Sequence, residues 1–352
     1  MKRRVWGIAA TLAVAVSIGL LAPSPRAAAA SSDPGFNILT SPLPMKLTTQ
    51  PGKTVTTEVR FKNLNNTPQG IKVGLLRFGA AGEDGQPDLF DLTPKDAFAS
   101  WVHFEPAELI AQPNVWNTVK VTINVPKDAG LGYYMAVTLS PANLQTQKGA
   151  ASLRGTAAQL ILLNVETGKE QRNVNIASFK TSRGLYEYLP ATFTVKLRNN
   201  GNIFVSPSGD LFLYKGKKQI GDVNFNPAGG AVLPKSNRVY TITWDQGFPL
   251  YKNKLVDGKT IPDKHAVPKQ QLSWDFSKAN NFRFGRYTAK ILVVYDNGSY
   301  DVPMEATVNF WVLPWKIMLV LLVLLLIIGL GIFSFVRGLI NRGRGHGRGY
   351  RR

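Results

Sequence analysis

Val59-Arg60-Phe61-Lys62-Asn63 and Val195-Lys196-Leu197-Arg198-Asn199 are two copies of one pattern, 136 residues apart. In each copy an apolar side chain stands at the first and third places, a cation at the second and fourth, and Asn at the fifth. Alternation of this kind puts one face against a core and the other in water, which is the signature of a strand. A polar turn follows both, Leu64-Asn65-Asn66 and Asn200-Gly201-Asn202. The same rhythm recurs along the chain. Thr54–Phe61 places Val55, Val59 and Phe61 on one face, and Trp116–Val125 places Val119, Val121, Ile123 and Val125 together. Leu131–Leu139, Leu160–Val165, Thr192–Leu197, Leu211–Tyr214, Arg238–Trp244, Arg286–Val294 and Ala306–Val312 are further β-branched or aromatic runs, broken by Pro, Gly and Asn. None carries a helical apolar stripe, so the middle of the chain reads as antiparallel sheet.

A second repeated element sharpens the fold. Gly132-Tyr133-Tyr134-Met135-Ala136 aligns with Gly285-Arg286-Tyr287-Thr288-Ala289. Gly two residues before Tyr and Ala two after it predicts a tyrosine corner at Tyr134 and Tyr287, as in immunoglobulin-like sandwiches. Ala136 and Ala289 then take the core place that cysteine holds in true immunoglobulins. The plainer reading is a pair of half-buried strand tyrosines. The expected fold is therefore all-β: two tandem immunoglobulin-like sandwiches, 35–168 and 172–312, joined at the polar stretch Glu166–Asn173. Each is long enough to bury a core without a covalent staple.

Both ends read as addresses. Lys2-Arg3-Arg4, the apolar run Val5–Leu21 and the small residues Ala27–Ala30 have the order of a signal peptide over 1–30. Ile317–Val336 holds twenty residues without a charge, enough for one transmembrane helix. Trp311, Trp315 and Lys316 precede it, as residues that favour the headgroup layer do. Arg337, Arg342 and Arg344 open a basic tail, 337–352, that has no acid and marks the cytoplasmic side. The expected topology is a single-pass cell-membrane protein with residues 31–312 outside.

The 352 residues carry 42 Lys+Arg against 22 Asp+Glu, a formal +20. Eleven of the basic residues lie in the signal, the tail and Lys316, so the part between holds 31 against the same 22 acids, a modest +9. That balance suits anionic polymer or lipid and gives no case for nucleic acid. With no cysteine there is no disulfide, thiolate nucleophile or Cys-based metal site. An exported chain without cysteine fits a bacterial source.

Two segments depart from the repeat, and loops carry specificity. Phe78–Ser100 holds Glu83, Asp84, Asp88, Asp91 and Asp96. Asp84, Gln86 and Asp88 have the alternate spacing of a calcium loop, but Lys95 stands where a bidentate Glu is needed, so a solvated acidic loop is expected and no metal. Gln246–Phe284 is an insertion carrying seven cations against three acids. Its aromatic residues predict an ordered hairpin, either decoration or a partner-contact surface built on Tyr251, Lys252, Lys254, Trp274 and Phe276. No catalytic residue is assigned. His103 sits in the strand-like Trp101–Glu105, His265 has no catalytic neighbours, and no phosphate loop or nucleophile elbow occurs. No cofactor is expected.

The order of parts supports one further comparison. Pro51-Gly52-Lys53-Thr54-Val55 opens the first sandwich, Arg198-Asn199-Asn200-Gly201-Asn202 lies in the second, and Phe310-Trp311-Val312-Leu313-Pro314-Trp315-Lys316 leads into the span and basic tail. This resembles the WxL-interacting cell-surface proteins of Gram-positive bacteria. The resemblance implies a non-enzymatic anchored protein that displays two sandwiches to cell-wall polymer or another surface protein, in adhesion or scaffolding. The first sandwich also resembles chaperone-like domains that pair an edge strand with a client. That implies the alternative of an accessory subunit of an export or pilus-assembly system. Oligomeric state is not indicated: Gly329 and Gly331 are two apart, not four.

Overall fold

The computed structural model describes residues 36–41, 44–143, 156–253 and 270–344. The expected signal peptide, Lys254 and the tail beyond 344 lie outside them. The first half forms β1 (Ile38–Ser41), β2 (Met45–Thr49), β3 (Thr54–Asn63), β4 (Gln69–Ala80) and β5 (Pro87–Phe90). It continues with β6 (Val102–Glu105), β7 (Glu108–Ala111), β8 (Trp116–Asn124), β9 (Leu131–Pro141) and β10 (Ala157–Val165). One sheet has the order β1-β3-β8-β6. The other runs β2-β10-β9-β4-β5, with β7 also on β4.

The second half repeats the scheme with β11 (Val174–Thr181), β12 (Leu185–Tyr186), β13 (Ala191–Asn199), β14 (Ser208–Lys215) and β15 (Lys218–Phe225). Then come β16 (Asn237–Trp244), the short pair β17 (Leu250–Asn253) and β18 (Gln270–Ser273), β19 (Gly285–Asp296) and β20 (Asp301–Val312). Its sheets are β11-β13-β16 and β12-β20-β19-β14-β15. In both halves the opening strand is divided between the sheets. Its first part pairs antiparallel (β1 on β3, β11 on β13) and its second part parallel to the last strand (β2 on β10, β12 on β20). Both halves are immunoglobulin-like sandwiches.

Each sandwich closes on its own apolar core. Val59, Phe61, Val119, Val121 and Ile123 meet Ile71, Met135, Val137, Leu139, Ile161 and Leu163, all fully buried. In the second, Phe193, Val195, Leu197 and Trp244 meet Leu211, Leu213, Ala289, Ile291 and Val293. At about 1.5–3 kcal/mol per buried large apolar side chain, either set supplies the favourable term that offsets chain entropy.

The repeated Asn has a role that the alternation did not reveal. Asn63 is fully buried. Its amide donates to the Thr67 and Ala111 carbonyls at 2.9 and 3.0 Å, and its oxygen accepts from Asn65 N at 2.9 Å. Asn199 does the same in the second sandwich, donating to the Ile203 and Val232 carbonyls at 2.8 and 2.9 Å and accepting from Gly201 N at 2.8 Å. In each copy one amide binds three backbone groups and so ties the turn after the strand to a distant segment.

The tyrosine corner is present in both copies, with one correction of register. Tyr287 Oη accepts from Phe284 N at 2.9 Å, three residues back, as expected. In the first sandwich the equivalent bond, from Gly130 N at 3.1 Å, goes to Tyr133 and not Tyr134. Tyr133 is thus the partner of Tyr287, and Met135, not Ala136, matches Ala289 in the core. The Gly-x-Tyr spacing misled because two tyrosines are adjacent and point to opposite faces of β9.

The C-terminal helix α1 (Trp315–Arg344) is longer than the uncharged run at both ends. Its segment Trp315–Arg337 spans 23 residues, includes an 18-residue stretch of mean hydropathy 3.1, and is long and apolar enough to cross a membrane. The alternation does not reveal the short strands β1, β2, β5, β7 and β12, nor the longer β4, β11 and β15. Glycines interrupt the alternation of β4 and β15, and a bulge between Ile176 and Ser178 shifts that of β11.

Candidate functional site

Three features outside the two cores are built from side chains rather than from pairing alone. The first is a seam between the sandwiches. Strands β9 and β10 are buried on both faces: one faces the first core, the other faces the second sandwich. On that outer face Phe78, Leu162 and Ala231 form a buried cluster, with Leu89, Tyr134, Leu160, Phe204 and Leu233 around it. The Tyr134 ring meets Phe78 and Phe204 edge-on, at 6.0 and 6.4 Å between centroids. Burial pushes the Tyr134 phenol well above its ordinary pKa. The run Leu160-Ile161-Leu162-Leu163 carried this signal, since four consecutive apolar residues mark a strand covered on both sides.

The rim of the seam is polar. Glu83, at the tip of the β4–β5 hairpin, receives Lys196 Nζ at 2.6 Å and Asn237 Nδ2 at 2.8 Å. Its carbonyl also accepts from Val239 N. The hydrogen bonds from Lys196 and Asn237 hold its carboxyl below the ordinary glutamate value. Two residues on, Gly85 sits at φ +79°, a backbone conformation that favours glycine, and a Cβ there would land 2.5 Å from the Arg238 guanidinium and force it to shift. Across the seam Lys46 Nζ donates to the Gly229 carbonyl at 2.6 Å. Burial, aided by Arg238, lowers the Lys46 pKa. The acidic excursion is thus not a purely solvated loop. Among the described residues no group of His, Asp and Glu is arranged to hold a metal.

The second feature is the base of the second sandwich, where α1 begins two residues after β20. Lys316 Nζ lies 2.7 Å from Glu187 Oε2, and Tyr251 donates to the same oxygen at 3.0 Å. Burial, and then the hydrogen bond to Glu187 and its charge, raises the Tyr251 pKa. The two contacts border a cavity of about 420 Å³ whose walls include Arg183, Tyr188, Gln270 and Trp315. From Tyr251 an aromatic chain runs outward through Tyr188 (6.0 Å) to Trp274 (6.5 Å), which stacks on Phe276 at 6.3 Å and 25°. Phe248 touches both, at 5.7 and 5.4 Å.

The third feature is an open edge. Strand β15 pairs with β14 along its whole length and has no strand on its other side among the described residues.

The sequence-chosen residues fall mostly at the base. Trp311 lies in β20, Trp315 and Lys316 in the first turn of α1, and Arg337 further along it, exposed. Arg342 and Arg344 belong to the last turns of α1. Tyr251 and Lys252 lie in β17, and Trp274 and Phe276 follow β18, so Tyr251, Trp274 and Phe276 come together. Sequence reading takes Glu83 as one acid of a solvated loop and Lys196 as the wet face of a strand, and does not single out Asn237 or Glu187. Each is a common surface residue type whose partner lies far off in the chain, so no local signal marks it.

No known family and no curated protein matches the sequence. Among solved structures the chain is similar to the class 5 fimbriae chaperone CfaA (13% identity, TM-score 0.35), covering 76% of this chain and 98% of that one. It is also similar to the E. coli chaperone DraB, at 12% identity and TM-score 0.30 over 77% and 98% of the two chains. A third is the CsuC–CsuE chaperone–tip adhesion subunit pre-assembly complex of Acinetobacter baumannii, at 12% identity and TM-score 0.33 over 76% and 97%.

Proposed function

We propose that this chain is a non-enzymatic, membrane-anchored bacterial surface protein that captures an extended segment of another exported polypeptide by strand addition. The observation that carries the reading is β15. Along the eight residues of this edge strand, alternate backbone N–H and C=O groups point outward with no strand partner among the described residues, a template for a further strand. The seam supports it, because two sandwiches joined across a buried apolar cluster can hold an edge at a set position. The apolar helix and the arginines after it support anchorage with the sandwiches outside and the C-terminus in the cytoplasm. The order of parts resembles that of the WxL-interacting surface proteins. Client capture unites that adhesion or scaffold role with the chaperone-like alternative.

The test uses the full chain in its own membrane, with a photo-crosslinking residue at Asp222 and a control at Ser299. Polypeptide adducts at 222 and not at 299 are expected. With the crosslinker kept at 222, proline is then placed in turn at Val223 and Asn224, since successive residues point their N–H groups to opposite sides. The variant whose outward N–H is lost should stay folded and lose the adducts. Adducts that persist in it overturn strand addition, and co-sedimentation with isolated wall polymer in place of protein adducts would favour a glycan ligand. Protease that reaches the sandwiches only after the membrane is broken would overturn the topology.

A further inference from the structure

Phe276 is 73% exposed, and Trp274, Phe282 and Phe284 are 49, 51 and 42% exposed. Large aromatic side chains are unusual on a free surface in such a group and mark a contact face. Their place in the fold indicates what the contact is. Gly285 pairs with Val312 on the last rung of β19 and β20, so Phe284 leaves the sheet at the rung from which the chain enters α1. Phe282 bridges to Phe248, which carries the Trp274–Phe276 stack. The same stack is linked back through Tyr188, Tyr251 and Glu187 to Lys316 in the first turn of α1. The aromatic face is thus continuous with the start of the apolar helix and lies at the same end of the sandwich.

We propose that this face is a lipid-docking surface: Trp274, Phe276, Phe282 and Phe284 enter the headgroup layer beside Trp315 and fix the tilt of the second sandwich on the bilayer. The inference rests on the reading of α1 as a span. A soluble partner protein could bind aromatic residues anywhere on the molecule, whereas a bilayer can reach only the end from which the span emerges. Tryptophan and other aromatic rings favour the layer between hydrocarbon and water.

The absence of cysteine gives a direct test, because one introduced thiol is unique in the chain. The full chain with Phe276→Cys carries an environment-sensitive fluorophore in vesicles of phosphatidylcholine and phosphatidylglycerol. Two companions carry the same label: Val323→Cys inside the span, and Tyr300→Cys in the turn at the far end of β19 and β20. The probe at 276 should shift to the blue and lose intensity to nitroxides attached at the headgroup, while the probe at 300 should be quenched only by aqueous iodide. Iodide quenching at 276 equal to that at 300, with the probe at 323 still quenched by lipid nitroxides, would overturn the docking surface and leave the span intact. Failure of lipid quenching at 323 as well would overturn both. Phe276 is the most exposed of these four aromatic residues, so its replacement leaves the fold in place.

Discussion

Lys196 of the second sandwich reaches Glu83 of the first, with Nζ 2.6 Å from Oε1. Because this contact and the Asn237 hydrogen bond lower the Glu83 pKa, its contribution is present above the ordinary value of 4.5 and lost as pH falls through the folded value below it. Acid should therefore loosen the rim of the seam before it unfolds either core. A pair of spectroscopic labels, one on each sandwich, should report a wider distance distribution on acidification. Glu83→Gln should show much of that widening already at neutral pH and little further response. An unchanged acid response in the variant would assign the effect to another carboxylate.

The apolar part of the seam should matter more than its rim. Leu162 is 2% exposed and faces the second sandwich, not the first core. Leu162→Ala should cost about 2–5 kcal/mol of coupling, and the two sandwiches should then melt as separate transitions. Calorimetry of the purified chain checks this; one transition, merely shifted, would show that the sandwiches unfold together for other reasons.

The corrected corner makes a sharp comparison. Tyr133→Phe and Tyr287→Phe each remove the acceptor of a backbone N–H and should destabilise by about 0.5–1.5 kcal/mol. Tyr134→Phe should cost less, since the Tyr134 hydroxyl is buried without a well-aligned partner. Chemical denaturation of the three variants decides it, and the order 134 above 133 would restore the first alignment.

Asn199→Asp should be among the most damaging single-atom changes in the chain. It replaces an amide that donates two buried hydrogen bonds by a group that accepts, and it brings charge into a closed site. A loss of about 3 kcal/mol or more is expected. Asn63→Asp should do the same in the first sandwich. Hydrogen exchange at the loops 200–203 and 64–67 should rise in the respective variants, and protection that survives would mean the side chain does not hold them.

Period-two alternation, the repeated Val-x-apolar-x-Asn strand and the uncharged helix were legible along the chain, because each depends on neighbours one to a few residues apart. They determined the all-β class and the long apolar helix near the C-terminus. Tertiary structure alone decided the rest. Whether Tyr133 or Tyr134 closes the corner depends on which face of β9 meets the core, and adjacent tyrosines look alike in sequence. That Glu83 meets Lys196, or Glu187 meets Lys316, depends on two chain segments more than a hundred residues apart arriving at one place. Hydrophobic pattern records how a strand is buried, and only the packed fold records against what.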